Sequence, residues 1–110
     1  MDIGTVLEWA GDLDAGASAR LAEALEALRH AGETHVIVDL GGVSFVGSAG
    51  FGVLVAESGA FRETGGDLWL CGFRPEVRGV ADLLGLPRVA RVHRDVAEAR
   101  SALRAATMTR

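Results

Sequence analysis

The segment from His35 to Val55, HVIVDLGGVSFVGSAGFGVLV, constrains the fold of this chain more than any other part of the sequence. The apolar run Val36 to Leu40 is typical of a buried strand, and the glycines and serines after it predict a turn of small residues. A helical pattern then begins near Ser48. A buried strand, a short turn and a helix are the first parts of a βαβ unit, so the segment predicts a parallel sheet covered by helices.

The same alternation of strand and helix continues along the whole sequence. Four strands are predicted, at Thr5 to Trp9, Val36 to Leu40, Leu68 to Cys71 and Val89 to Val92. A helical pattern follows each strand, which gives the order βαβαβαβα. We therefore expect an α/β fold with a largely parallel four-stranded sheet and about four helices. Because 110 residues suffice for one hydrophobic core, we expect a single domain over residues 1–110, with its core at about 5–106.

The predicted helices carry recognisable end signals and apolar stripes. Pro75 is placed as the first residue of the third helix and Gly85 just past its end, which is the usual asymmetry of helix ends. Asp95 and Glu98 have the spacing of a capping box for the last helix. The buried stripes of the first and third helices are predicted as Ala17, Leu21, Ala24, Leu25 and Leu28, and as Val77, Val80, Ala81 and Leu84.

Composition restricts the partners and the location of the protein. The net charge is −4 and the eleven cations are all arginines spread along the chain, whereas a duplex binder needs clustered cations, so we expect no direct nucleic-acid partner. The single cysteine, Cys71, excludes an internal disulfide. No apolar run is long enough to span a membrane, and no signal peptide is visible, so we expect a cytoplasmic protein without membrane insertion.

Four segments, in the right order, resemble the STAS domain family, which includes the anti-sigma factor antagonists. One resembles the family's Gly-Glu-Leu-Asp turn, one its central strand and loop, one its Gly-Gly-x-Leu-x-Leu-x-Gly segment and one the segment after it. Together they cover about residues 6–92. The four segments are Gly11 to Asp14, Val38 to Val46, Gly66 to Gly72 and Pro75 to Leu86.

The family motif at the start of the second helix is Asp-Ser-Ser/Thr-Gly, and a partner kinase phosphorylates its third residue. The aligned residues here are Gly47, Ser48, Ala49 and Gly50. The resemblance implies that the protein binds an anti-sigma factor, typically a serine kinase-like protein, and so releases a sigma factor. Alanine has no atom that accepts a phosphoryl group, so we expect that the switch at Ala49 is absent, with Ser48 as an alternative phosphorylation site.

The resemblance also implies an additional strand before the first one predicted here, and the sequence leaves little room for it. An N-terminal strand shortened in this way leaves a sheet edge open, which favours pairing with another chain as a weak homodimer.

The partner-binding surface is expected at one edge of the sheet. In an open parallel sheet, partners meet the loops at the carboxyl ends of the strands. There we expect Gly47, Ser48, Ala49 and Gly50, with Asp14 and Arg74 at the rim of the surface. Two compatible interpretations apply to Ser48: its hydroxyl caps the helix, worth about 1 kcal/mol, or a partner contacts or modifies it.

Two alternative functions follow from the same sequence. The missing acceptor favours an adaptor subunit in a stress-signalling or transport assembly. A small-ligand or nucleotide-binding module is the alternative from another class. Against it, the motif G-x-x-x-x-G-K-[ST] is absent because the chain has no lysine, and G-x-G-x-x-G fails because Val55 stands at its last position.

Catalytic and metal sites are not predicted. The hydrolase elbow G-x-S-x-G fails at Val46, and the three histidines show no metal-ligand spacing with one another or with the cysteine. We therefore expect no enzyme activity, no metal and no cofactor. The residues considered were His30, His35, His93 and Cys71.

Overall fold

The computed structural model describes residues 4–108, in which four strands and five helices alternate. The predicted α/β class is confirmed. The strands are β1 Thr5–Ala10, β2 His35–Gly42, β3 Asp67–Cys71 and β4 Arg91–His93. The helices are α1 Ala15–His30, α2 Ser48–Glu63, α3 Pro75–Leu83, α4 Leu86–Val89 and α5 Val96–Met108.

The four strands form one parallel sheet in the order β1-β2-β3-β4. Val38 of the central strand lies in register between Leu7 and Leu70. Sequential strands joined by right-handed crossovers place their helices on one face of the sheet. The first four helices therefore share a face, and among residues 4–108 the helix that covers the other face is α5, which follows the last strand.

The two faces of the sheet bury separate apolar clusters because successive strand residues point to opposite sides. Val36, Val38 and Leu40 pack with residues of α1 to α4. Ile37 and Trp69 belong instead to a second cluster, together with Ala99 and Leu103 of α5. The larger cluster holds α1 and α2 in place, and the first turns of these helices lie at the carboxyl edge of the sheet.

The predicted strand at Val89 to Val92 is partly wrong. Val89 is the last residue of the short helix α4, and the strand begins at Arg91. Gly85 has a φ of +76°, which ends α3 and redirects the chain, and Leu86 at the start of α4 is buried. The extra turn of helix brings that leucine into the core, and it accounts for the fifth helix.

The predicted buried stripe of α3 is also partly wrong. Val77 and Ala81 are buried as expected, but Val80 and Leu84 are 45% and 63% exposed. The buried pair is four residues apart and forms a single row along one side of this short helix. Val80 and Leu84 belong to the neighbouring row, which no element within residues 4–108 covers.

The predicted signals at the starts of α3 and α5 are confirmed. Pro75 is the first residue of α3. At α5, Asp95 Oδ1 accepts from the backbone N–H of Glu98 at 2.8 Å. The Glu98 carboxylate accepts from the N–H of Arg94 at 2.8 Å, one residue earlier than in the standard capping box.

The additional N-terminal strand of the family has no counterpart in residues 4–108. In this part of the chain β1 pairs with β2 alone, so its outer edge has no neighbouring strand. The expected shortening of the N-terminal strand concerns Met1 to Ile3, which lie outside the described residues.

Candidate functional site

Two loops at the carboxyl edge of the sheet are joined by backbone hydrogen bonds. The N–H of Leu13 donates to the carbonyl of Phe45 at 2.8 Å, and the N–H of Gly47 donates to the carbonyl of Leu13 at 3.0 Å. These bonds add one parallel bridge, between Leu13 and Val46, beyond the ends of β1 and β2. Because Leu13 is completely buried, the bridge fixes the starts of α1 and α2 next to each other.

The structure places the motif residues at the first turn of α2. Gly47 is the N-cap residue, with extended backbone angles of φ −81° and ψ 176°. Ser48 and Ala49 are the first two helical residues and both are exposed. The prediction that Ser48 caps this helix is wrong, because the N-cap position falls one residue earlier on a glycine. Gly47 therefore provides no side-chain hydrogen bond to the first turn of α2.

Gly50 is the residue that lets the two loops approach each other. A Cβ atom at this position would lie 2.8 Å from Val46 Cγ1 and 3.1 Å from Leu13 Cβ. Gly47 differs, since a Cβ there would meet the carbonyl oxygen of Leu13 at 3.5 Å, an ordinary contact distance. The tight packing therefore requires glycine at position 50 but not at position 47.

Asp14 lies on the neighbouring helix start, where it has a structural task. It is the N-cap residue of α1, and its Oδ1 accepts from the N–H of Ala17 at 2.9 Å. A second polar contact joins the same two loops, from the hydroxyl of Ser44 to Asp12 Oδ1 at 3.0 Å. The exposed Asp14 carboxylate is thus held at the edge while it caps α1.

Arg74 lies at the same edge, on the loop between β3 and α3. Its Nε donates to the carbonyl of Gly41 at 3.2 Å, at the end of β2. Gly72 makes this approach possible, because its φ is +79° and a Cβ atom there would lie 2.6 Å from Asp39 Oδ1. The three loops therefore gather at the carboxyl edge as the sequence predicts.

An apolar groove lies beside the start of α2, and the sequence did not predict it. Its volume is about 320 Å³, and it runs between the β2–α2 loop and α3. Phe45 is 53% exposed and Val80 45% exposed, and both line the groove with Phe51 and Val77. The apolar residues in the loop were the available signal, but they are equally typical of a buried turn.

Cys71 is a buried titratable group at the end of β3. Burial, and then the nearby carboxylates of Asp39 and Asp95, raises the pKa of the Cys71 thiol to about 12. The thiol is fully buried and 3.6 Å from the carbonyl of Val38, so it stays protonated at neutral pH. No three His, Cys, Asp or Glu side chains in residues 4–108 are grouped as metal ligands would be.

Among the helices of residues 4–108, none is both long enough and apolar enough to cross a bilayer.

Comparison with known proteins identifies the family. A family model for the STAS domain matches residues 2–99, so the chain belongs to the STAS domain family. The chain is 37% identical over 54 residues to the candidate anti-sigma factor antagonist BtrV of Bordetella bronchiseptica. That match covers 49% of this chain and 47% of the relative, so the chain matches about half the length of that curated protein.

Two solved structures share the fold. A candidate anti-sigma factor antagonist from Thermotoga maritima has a TM-score of 0.85 at 20% identity, over 94% of this chain and 90% of that one. A sulfate transporter family protein from Wolinella succinogenes has a TM-score of 0.82 at 18% identity, over 99% and 92%. At these identities the likeness shows the fold alone. The predicted resemblance to the STAS family is confirmed.

Proposed function

We propose that this protein is an anti-sigma factor antagonist, which binds a serine kinase-like anti-sigma factor and thereby frees a sigma factor for transcription. The observation that carries the proposal is the exposed, uncapped start of α2 beside an apolar groove, in a chain of the STAS family. The protein acts by binding and not by catalysis, and it acts in the cytoplasm.

The proposed binding surface is centred on residues 47–50 and flanked by Asp14 and Arg74. Phe45 and Val80 add exposed apolar side chains to one side of it. Exposed apolar groups next to polar ones are typical of protein-binding surfaces. The uncapped N–H groups of the first turn of α2 also favour an acidic group of the partner, because a helix start carries partial positive charge.

The absence of a phosphate-accepting hydroxyl at position 49 determines how partner binding at this surface is regulated. A phosphoryl group adds close to two negative charges at neutral pH, which repel acidic partner groups and require solvation. Ala49 carries only a methyl group, so we infer that the protein stays in a binding-competent form. Ser48, exposed and next to it, is the alternative acceptor.

Binding to the serine kinase-like proteins of the host, measured by titration calorimetry, tests the proposal. Ala49→Glu places a carboxylate where the family carries a phosphate and should weaken binding at least about tenfold. Ala97→Glu is the matched control, since Ala97 is the exposed second residue of α5, and it should bind like the wild type. Failure of every such host protein to bind would refute the proposal.

Intact-mass measurement after incubation with the bound kinase-like partner and ATP tests the regulation separately. We expect no added phosphate. One added phosphate that disappears in Ser48→Ala would show instead that the switch has moved to the neighbouring hydroxyl.

A second candidate function is an adaptor subunit in a stress-signalling or transport assembly. It is favoured by the missing acceptor together with the fold shared with a sulfate transporter family protein. Affinity capture from separated membrane and soluble fractions distinguishes the two functions, since a transport adaptor should be recovered with membrane proteins.

We also infer weak self-association through the outer edge of β1. Within residues 4–108 this edge has no neighbouring strand, and an open edge is a template for pairing. Sedimentation equilibrium over a wide concentration range should detect a minor dimer at high concentration. A monomer at every concentration would contradict this inference.

A further inference from the structure

A second concave site lies at the opposite end of the sheet from the proposed partner-binding surface. It is formed where β3 and β4 begin and α2 ends, and its volume is about 420 Å³. This size is within the usual range for small-molecule pockets. Three arginines and one aspartate line it, namely Arg62, Arg88, Arg91 and Asp67.

Asp67 organises two of the arginines. Its carboxylate is almost completely buried, at 5% exposure. Arg91 Nε lies 2.6 Å from Asp67 Oδ2, and Arg62 Nη1 lies 3.6 Å from Asp67 Oδ1. One buried carboxylate therefore holds two guanidinium groups at the wall of the pocket.

Further contacts restrict how these two side chains move. Arg62 Nη2 donates to the carbonyl of Val89 at 3.0 Å. The guanidinium carbon of Arg91 lies 4.7 Å from the ring centroid of Trp69, which is itself buried. Contacts of this kind fix the donors before a ligand arrives, and a ligand then loses less free energy to ordering them.

Of the three arginines that line the pocket, Arg88 is the one without a carboxylate partner within residues 4–108. Its side chain is exposed and forms no hydrogen bond or ion pair with any residue from 4 to 108. Three guanidinium groups and one carboxylate give the lining a net charge of +2, although the whole chain carries −4. The lining of this pocket is thus positive in a chain whose net charge is negative.

We propose that this pocket binds a small molecule through a phosphate group. Guanidinium groups match the geometry of phosphate oxygens, and a dianion complements the charge of the lining. Pro87 and Val89 add apolar surface beside the arginines, so the ligand is either the free phosphate ion or a phosphate monoester. The site is separate from the partner-binding surface, so either proposal stands without the other.

The test is a titration of the full chain with inorganic phosphate, followed by two-dimensional ¹H–¹⁵N NMR at constant ionic strength. We expect saturable shifts of the backbone amides of residues 88–91, with little change at residues 47–50. Arg88→Gln should weaken phosphate binding about tenfold, since it removes a charged donor. This variant keeps its fold because the side chain makes no contact that the fold needs.

The matched control is Arg100→Gln, which removes the same charge from an exposed position on α5 outside the pocket. It should leave phosphate binding unchanged. If neither phosphate nor a monoester gives a saturable shift, or if both variants weaken binding equally, the proposal is refuted.

A parallel titration with adenosine monophosphate identifies the source of the phosphate group. Tighter binding than that of inorganic phosphate, with shifts spreading along α4 around Val89, would show that the pocket takes a monoester. Equal affinity, with shifts confined to the arginines, would show that it takes the free ion.

Discussion

The first turns of α1 and α2 lie next to each other, but they are capped differently. Both N-cap residues have extended backbone, with φ −80° and ψ −174° at Asp14 and φ −81° and ψ 176° at Gly47. Asp14 turns its carboxylate onto the first turn of α1, whereas Gly47 has no side chain to offer. The first turn of α1 is therefore capped by a side chain of the protein, whereas the backbone N–H groups in the first turn of α2 are left for solvent or for a partner.

Because of this difference in capping, the start of α1 contributes to stability, whereas the start of α2 is left available for binding. The backbone bridge between the two loops serves both helices, so α2 does not need a side-chain cap to be held in place. The resemblance to the family motif implies an acid at position 47 and a phosphate acceptor at position 49, where this chain has Gly47 and Ala49. We interpret the start of α2 as a helix start whose N-cap residue carries no negative charge of its own.

The largest expected effect comes from adding a Cβ atom at Gly50, where the two loops are in close contact. Gly50→Ala should reduce the free energy of unfolding by about 2 kcal/mol, because the new Cβ collides with Val46 and Leu13. Urea denaturation measures the change. The control is Gly16→Ala in the first turn of α1, where the nearest atoms to a new Cβ lie 3.7 Å and 3.8 Å away, and it should be neutral or stabilising. Equal losses from both variants would contradict the comparison.

A smaller effect is expected from removing the cap of α1. Asp14→Ala should cost about 1 kcal/mol of unfolding free energy, since the N–H of Ala17 loses its acceptor. Asp14→Ser, which keeps an acceptor oxygen, should restore most of the loss in the same denaturation experiment. A loss that serine does not restore would show that the carboxylate acts through its charge instead.

Installing a cap on α2 should have an opposite and still smaller effect. Gly47→Asp should raise the unfolding free energy by about 0.5 kcal/mol, because the backbone is already extended and a Cβ fits there. Gly47→Ala is the control and should not stabilise, since alanine has no acceptor. The same aspartate should also weaken partner binding if that partner offers an acidic group to the helix start.

The smallest effect is a pH dependence that distinguishes charged from uncharged helix starts. The backbone hydrogen bond from Glu98, with lesser help from Arg94, lowers the pKa of Asp95 at the start of α5 below its ordinary value of 3.8. A lowered carboxyl pKa stabilises the fold above the ordinary pKa, and the contribution disappears as pH falls through the lowered one. Amide shifts in the first turn of α5, followed by NMR, should titrate below that ordinary value.

The sequence predicted the features that depend on repeated local patterns. The parallel sheet and the helix ends at Pro75 and Asp95 follow from apolar periodicity and from residues with strong positional preferences. Ser48 was misplaced by one residue as a cap, because serine favours the N-cap position and glycine signals it weakly. The hydrogen bond from the N–H of Gly47 to the carbonyl of Leu13, a contact between distant residues, accompanies the position of Gly47 just outside the helix.

The features that the sequence missed depend on what lies beside an element. A run such as Val89 to Val92 is apolar enough for either a strand or a helical turn, and the burial of Leu86 decides the outcome. The periodicity of α3 likewise gives the rows of apolar residues without showing how many rows a neighbour covers. The groove beside Phe45 and the arginine pocket arise from such long-range placement, so sequence patterns alone do not reveal them.

The buried thiol of Cys71 gives the protein an internal reporter of its own opening. A thiol with a pKa of about 12 and no exposed surface does not react with alkylating reagents while the fold is closed. Cys71 is the last residue of β3 and packs in the cluster covered by α5, so reaction requires that this cluster opens. The rate of alkylation therefore reports how often the cluster opens, and a change in that rate on adding a ligand gives the stabilisation it provides.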